Sequence, residues 1–132
     1  MFGKILHGSG FAGLVNYAND SRKGATLVVA SEGINLTNNQ SIIDSFVMHA
    51  ELSSRTKKPV AHFVLAFSPH DTTQLTDKKL ENIVLEYLRR MGYNNNQFVA
   101  FRHFDKEHPH IHIIVNTTRS EERFSRNAET DL

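Results

Sequence analysis

The sequence predicts a single α+β domain in which helices pack on a central, mainly antiparallel sheet. Segments with strand-like alternation and segments with helical spacing follow one another in the order β-α-β-α-β-α-β-β. The clearest helix begins after a Thr76 cap and ends at Gly92, and the last two strands form a hairpin around Lys106-Glu107. This order is typical of an antiparallel or mixed sheet with helices on one face.

Each predicted element has its own apolar pattern. Strands are predicted over residues 3–7, 25–30, 60–68, 97–104 and 108–116, and helices over residues 9–19, 38–52 and 77–91. Ser9 is the expected cap of the first helix, and Tyr17 lies roughly 100° from that helix's apolar stripe, on its flank. The inward positions of the three helices are Phe11, Leu14, Val15 and Ala18; then Ile42, Ile43, Phe46, Val47 and Ala50; then Leu80, Ile83, Val84, Tyr87, Leu88 and Met91.

Composition excludes several classes of protein. The 132 residues leave room for one domain, and a hydrophobic content of 39% suffices for a core. The absence of cysteine excludes disulfides, thiolate metal sites and a cysteine nucleophile. No apolar run in the sequence, including the one that follows the histidine tract, is long enough to span a bilayer, and no signal peptide is recognisable. We therefore expect a cytoplasmic protein, and its net charge of +1 gives little indication of its partners.

Four of the eight histidines fall within residues 103–112. His110 and His112 are two apart at the start of a strand, so both imidazoles point to one face of it. Ile111 then points to the other face, into a core. Two imidazoles on one face of an anchored strand form half of a metal site, and His103 is the natural third ligand.

Whether His103 lies on the same face as the other two histidines depends on the register of the hairpin. If Lys106-Glu107 forms a two-residue turn, His103 lies opposite His110 on the neighbouring strand. A register shifted by one residue would turn His103 to the other face. Pro109 cannot donate to the ladder, which suits the start of an edge strand, and Asp105 could orient a ligand by hydrogen bonding.

The other histidines have plainer explanations. His108 fits a spare ligand, a DNA contact or an exposed side chain. We expect His7, His49, His62 and His70 to be structural or solvent-facing, although His62 and Ser68 share a strand face that could line the site. For the cluster itself, the plain alternative is a solvent-facing hairpin that happens to be rich in histidine.

Three stretches of the chain resemble motifs of the conjugative relaxases, the mobilisation nucleases of the HUH endonuclease superfamily. The most specific is His103-x-Asp105-x-x-x-Pro109-His110-x-His112-x-x-x-Asn116, with one hydrophobic residue between the last two histidines. The opening, Gly3-Lys4-Ile5-Leu6 followed by Gly8-Ser9-Gly10-Phe11 and Asn16-Tyr17, resembles mobilisation proteins of the Bacteroides type. Residues 59–69, which end in Ala66-Phe67-Ser68-Pro69, are similar to their middle motif.

The resemblance implies a relaxase-like fold with a ferredoxin-like palm and a nicking reaction at a transfer origin. In relaxases a tyrosine hydroxyl attacks single-stranded DNA at the nic site, which gives a 5′-phosphotyrosine and a free 3′-OH. Carried over, Tyr17 is the nucleophile, and His103, His110 and His112 hold a divalent metal, usually taken as Mg²⁺ or Mn²⁺. Since imidazoles prefer softer ions than Mg²⁺, other transition ions are also compatible.

The same resemblance suggests supporting residues and partners. Asp105, His108, Asn116 and Ser68 are expected to support the ligands or to contact DNA, and Arg22, Lys23, Arg102 and Arg119 are candidate phosphate contacts. The implied partners are single-stranded DNA at the transfer origin and the accessory mobilisation proteins of a relaxosome, in a bacterial cytoplasm.

Position distinguishes the three tyrosines. Tyr87 falls within an apolar helical stripe and Tyr93 follows a helix stop, which favours structural roles for both. Only Tyr17 lies off the stripe of a helix near a Gly-rich turn. Replication initiators and transposases of the superfamily carry their tyrosine after the histidine motif, and no tyrosine follows His112 here.

Two other functions stay open at this point. A histidine-based metallohydrolase would cleave with a metal-bound water and would not need Tyr17. A DNA-binding or metal-binding module, such as a degenerate relaxase, would bind without nicking. Because complete relaxase domains run past the histidine motif, we expect residues 1–132 to be a relaxase catalytic domain truncated at its C-terminal side.

Overall fold

The computed structural model describes residues 2–8, 10–51, 59–93, 95–103 and 108–118. The strands are β1 (Phe2–Gly8), β2 (Thr26–Ala30), β3 (Val60–Ala66), β4 (Phe98–His103) and β5 (His110–Asn116). The α-helices are α1 (Ala12–Ala18), α2 (Asn39–Ala50) and α3 (Asp77–Met91), and short 3₁₀ helices cover Ser21–Lys23 and Pro69–Gln74. The order of strands and α-helices is the predicted one. The two 3₁₀ helices were not predicted.

The five strands form one sheet in the spatial order β1-β3-β5-β4-β2, and all four neighbouring pairs are antiparallel. The predicted α+β class with a mainly antiparallel sheet is confirmed. The expectation that Pro109 starts an edge strand is wrong, because β5 is the central strand. Pro109 lies just before the first residue of β5, so its missing N–H removes no rung from the ladder, and its carbonyl accepts from the backbone N–H of Phe67 at 2.9 Å.

Helices cover both faces of the sheet, and the expectation of helices on one face is wrong. One face packs against α3, whose Leu80, Val84 and Leu88 are buried against strand residues that include Phe63 and Ile113. The other face packs against α1 and α2, in a second core made of Phe11, Val15, Ala18, Ile42, Ile43, Phe46, Val60, Val99, Phe101 and Ile114. The physical reason is visible in β5, which is apolar and buried on both faces from Ile113 to Val115, as strands covered on both sides are.

Capping side chains define where the two longer helices begin. Thr76 accepts a hydrogen bond from the backbone N–H of Lys79, and Asn38 accepts one from Ser41 at the start of α2. Gly92 ends α3 with φ of 85°, a left-handed conformation that glycine adopts without strain. The predicted bounds of α3 are therefore confirmed.

Some predicted details of the helices are wrong. Ser9 lies outside the described residues, and α1 begins at Ala12, after a Phe11 that makes no side-chain capping bond. Val47 and Met91 are exposed rather than inward. In α2, His49 is buried instead of Val47, and its Nε2 lies 3.2 Å from the carbonyl oxygen of Thr118.

Replacing Thr76 with alanine should lower the free energy of unfolding by about 1 kcal/mol, because α3 loses the oxygen that caps its first turn. Urea denaturation followed by circular dichroism measures the change. The matched control is Thr73→Ala, an exposed threonine in the preceding 3₁₀ helix, which should stay within about 0.5 kcal/mol of the wild type. Equal losses in the two variants would contradict the capping role.

Candidate active site

Three histidines converge at one end of the β4–β5 hairpin. His103 pairs directly with His110 across the hairpin, and His112 lies two residues further along the same face of β5. One ring nitrogen from each side chain lies within 4.8 Å of the others. The ring centroids are 4.3 Å apart for His103 and His112, 5.0 Å for His110 and His112, and 5.1 Å for His103 and His110. The predicted hairpin register and the convergence of the three imidazoles are confirmed.

Backbone carbonyls orient two of these rings. Nε2 of the buried His103 donates to the carbonyl oxygen of Ala18 at the end of α1, which leaves Nδ1 with its lone pair. Nδ1 of His110 donates to the carbonyl oxygen of His108 at 3.0 Å, which leaves Nε2 with its lone pair. A neutral imidazole has one donor and one acceptor nitrogen, so each contact selects the nitrogen that can bind a metal.

A fourth histidine, His62 on β3, contacts the cluster. Its Nε2 lies 2.8 Å from Nδ1 of His112, and the two rings stack with centroids 5.1 Å apart. Because Val64 pairs with His112, His62 occupies a diagonal position across the β3–β5 pair on the same face. From the sequence, His62 is expected to be structural or solvent-facing. The one signal for this contact is the prediction that His62 shares a strand face with Ser68 and that this face could line the site.

The donor set fits a divalent transition-metal ion. Imidazole nitrogens suit Mn²⁺, Zn²⁺ and similar ions better than Mg²⁺, which prefers oxygen ligands. Within the described residues the cluster contains histidines alone, and these are uncharged ligands. A cation held by them keeps its full charge toward an incoming anion, which favours a phosphate group as the substrate.

Tyr17 stands beside this cluster. Its ring centroid lies 5.5 Å from that of His112, with the rings edge to face, and 6.3 Å from that of His103. The side chain is 44% exposed, so a ligand from solvent can reach the phenol. Val15 and Ala18 anchor α1 on the sheet, and Tyr17 projects from the flank of this buried stripe, as predicted.

Asparagine side chains tie the end of α1 to the start of α2. Asn39 accepts a hydrogen bond from Nδ2 of Asn19 at 2.8 Å, and its own Nδ2 donates to Oδ1 of Asn16 at 3.2 Å. The backbone oxygen of Asn19 lies 3.4 Å from the same Nδ2. These bonds join α2 to residues on both sides of Tyr17, so they hold the segment that presents the phenol.

The other two tyrosines belong to the opposite face of the sheet. Tyr87 and Tyr93 pack against Phe63 with ring centroids 5.4 Å and 5.7 Å away, in the core beneath α3. Burial raises the pKa of the Tyr87 phenol, which makes its oxygen harder to ionise for attack. The prediction of structural roles for both residues is confirmed.

The structure describes three of the four predicted supporting residues, His108, Ser68 and Asn116. Asp105 lies outside the described residues. His108 is exposed and contributes its backbone carbonyl to His110. Ser68 accepts from the backbone N–H of His70 at 3.2 Å, at the start of a 3₁₀ helix.

Asn116 lies four residues beyond His112, about 13 Å along β5 at the usual rise of a strand. Its fully buried side chain donates to the carbonyl oxygen of Phe46 and to Gln97, both at 3.1 Å, and accepts from the backbone N–H of Thr118 at 3.0 Å. The structure therefore gives Asn116 a tertiary link between α2 and the start of β4, away from the three histidines.

The candidate phosphate contacts are only partly described. Arg22 is exposed and pairs with Asp20 at 2.9 Å, and Arg102 forms an ion pair with Asp77. The side chain of Lys23 and the whole of Arg119 lie outside the described part of the chain. The partners in these two ion pairs, Asp20 and Asp77, are not members of the three-histidine cluster.

The antiparallel sheet thus presents three convergent imidazoles beside an exposed phenol, an arrangement suited to metal-assisted phosphoryl transfer. The family model for "Relaxase: MobA/VirD2-like, nuclease domain" matches residues 17–131, and the chain therefore belongs to this family. Searches of curated proteins and of solved structures return no significant match. Membership implies nuclease activity by transesterification and binding of single-stranded DNA, as the resemblance indicated. In the described part of the chain, no helix has both the length and the apolar character needed to cross a bilayer.

Mn²⁺ supplied at about 100 times its dissociation constant should stabilise the protein by about 2.7 kcal/mol, because it binds the folded cluster and not the unfolded chain. The His110→Ala variant should lose most of this gain, since it lacks one of the three ligands. Thermal unfolding of chelator-treated protein, with and without Mn²⁺, measures both values.

The matched control is His70→Ala, an exposed histidine in the 3₁₀ helix Pro69–Gln74. This variant should keep the full stabilisation by Mn²⁺. An equal gain in wild type and His110→Ala would mean that the cation binds elsewhere.

Proposed function

We propose that this domain nicks one strand of DNA at the transfer origin of a plasmid or other mobile element, with Tyr17 as nucleophile. The observation that carries the proposal is the position of an exposed phenol within 5.5 Å and 6.3 Å, ring to ring, of two of three converging histidines. A nucleophile next to a site suited to a cation can attack a phosphate that is bound there.

The reaction exchanges one phosphate ester for another. Oη of Tyr17 forms a bond to phosphorus while the bond from phosphorus to the 3′ oxygen breaks, so the DNA 5′ end becomes a phosphotyrosine. The phenol proton passes to solvent or a nearby base, and the leaving 3′ oxygen takes up a proton to become a free hydroxyl. A divalent ion on His103, His110 and His112 would neutralise charge on the non-bridging oxygens of the phosphate.

Ester exchange explains why a tyrosine is used instead of water. The phosphodiester energy stays in the protein–DNA bond, so the free 3′-OH can reverse the attack and rejoin the strand without ATP. This property suits a protein that must open and later reseal a transferred strand. We place the reaction in a bacterial cytoplasm, on single-stranded DNA presented with accessory proteins of a relaxosome.

The decisive experiment uses end-labelled single-stranded DNA from the transfer origin, or a randomised single-stranded pool where the origin is unknown, with Mn²⁺. A 3′ label should migrate with the protein on a denaturing gel, and a 5′ label should appear on a released fragment. The Tyr17→Phe variant should give neither product, because it lacks the attacking oxygen and keeps the ring.

The matched control is Tyr93→Phe, which changes a tyrosine in the core on the other face of the sheet and should leave both products. Cleavage by Tyr17→Phe without a protein-linked band would favour a metallohydrolase. Binding of the DNA by the wild type without any cleavage would favour a DNA-binding module. Either result would contradict the proposal.

The Asn39→Ala variant tests whether the asparagine links hold the nucleophile in place. Loss of the bonds to Asn16 and Asn19 should let the end of α1 move, and a misplaced nucleophile costs on the order of tenfold to a hundredfold in rate. Mn²⁺ affinity should fall far less than the nicking rate, since all three ligands and the bond from His103 to Ala18 are kept. The control is Gln40→Ala, an exposed neighbour whose bond goes to Asp44 within α2. Equal nicking rates in the two variants would contradict the positioning role.

A further inference from the structure

The contact between His62 and His112 couples the proton positions of the two rings. Nε2 of His62 and Nδ1 of His112 are 2.8 Å apart, a distance at which one nitrogen must donate and the other accept. Both side chains are buried, with 8% and 4% of their surfaces exposed. The rings also stack with 23° between their planes, so the pair is held in one arrangement.

The direction of this hydrogen bond follows from the chemistry of a ligand. A neutral imidazole has a lone pair on only one ring nitrogen. For Nε2 of His112 to bind a cation, the proton must sit on Nδ1, and that N–H then donates to His62. If His62 donated instead, the proton of His112 would sit on Nε2 and no lone pair would be available for the cation.

We propose that His62 is a positioning residue that accepts from Nδ1 of His112, holds it in the metal-binding tautomer and fixes the orientation of its ring. The proposal deepens the metal-binding part of the proposed function and rests on it. Groups that hydrogen-bond a metal-ligating histidine in this way typically contribute about 10- to 100-fold to metal affinity. His62 thereby does for His112 what the Ala18 and His108 carbonyls do for the other two ligands.

The first test measures Mn²⁺ affinity of chelator-treated protein by calorimetry. His62→Leu removes the acceptor and should weaken binding by about 10- to 100-fold. His62→Gln supplies a side-chain oxygen that can accept from Nδ1 and should recover most of the affinity. The control is His49→Leu, which removes another buried histidine whose contact is to Thr118 and should leave affinity unchanged.

The second test reads the tautomer directly by nitrogen NMR of the metal-free protein, at an alkaline pH where the imidazoles are neutral. We expect His112 to carry its proton on Nδ1 in the wild type and in His62→Gln, and to shift toward Nε2–H in His62→Leu. A purely structural role for His62 would not move this signal in a folded variant.

These two measurements distinguish a failure of the metal-dependent function from a failure of the positioning role of His62. If the wild type binds no divalent cation, the metal-dependent function fails, while the tautomer of His112 still reports on His62. If the wild type binds Mn²⁺ and His62→Leu binds it equally well, the positioning role is overturned. A wild-type His112 that carries its proton on Nε2 overturns it as well, whether or not the leucine variant folds.

Discussion

The candidate site depends on the pairing register between β4 and β5. The observed register sets His103 opposite His110 and so brings a third imidazole to the two on β5. The hydrophobic side chains of the opposite face enforce it, because Ile111 and Ile113 are buried against α3 and its neighbours. A slip by one residue would turn the imidazoles of one strand into that core, which costs polar desolvation, and would move its apolar side chains out of their packing against α3. The same burial that stabilises the fold therefore assembles the ligands.

Assembly alone does not make a metal site, because each ring must also present the correct nitrogen. Two of the three rings are turned by backbone carbonyls, from Ala18 and His108, and the third contacts His62. These contacts come from α1, from the residues just before β5 and from β3, so the cluster is supported from three sides. Ligands whose rotamers are fixed before binding lose little entropy when a cation arrives. The position of β5 at the centre of the sheet adds rigidity, since neighbours flank it on both edges.

Local features were predictable from the sequence, and features that depend on distant pairing were not. The bounds of α3 follow from Thr76 and Gly92, and the β4–β5 register is the one predicted by assuming a two-residue turn, because each rule acts over a few residues. The contact of His112 with His62 on β3 could not be predicted, because no local rule pairs strands that are far apart along the chain. The apolar residues 113–115 on both faces of β5 were a signal of a strand covered on both sides, but Pro109 and the order of elements led to the wrong predictions of an edge strand and of helices on one face. In α2 the stripe admitted either Val47 or His49, and the contact of His49 with Thr118 decided which one is buried.

A hydrogen bond links the helix that carries the proposed nucleophile to the candidate metal site. His103 donates to the carbonyl oxygen of Ala18, the residue that follows Tyr17, so the ring that would bind the cation also fixes the end of the helix that presents the phenol. A substitution at position 103 would disturb both parts together, whereas a change at His110 removes a ligand and leaves α1 attached to the sheet. The coupling also works in the other direction. Because the helix that carries the proposed nucleophile is bonded to a candidate ligand, a shift of α1 would also move the ring of His103, so the two groups would move together.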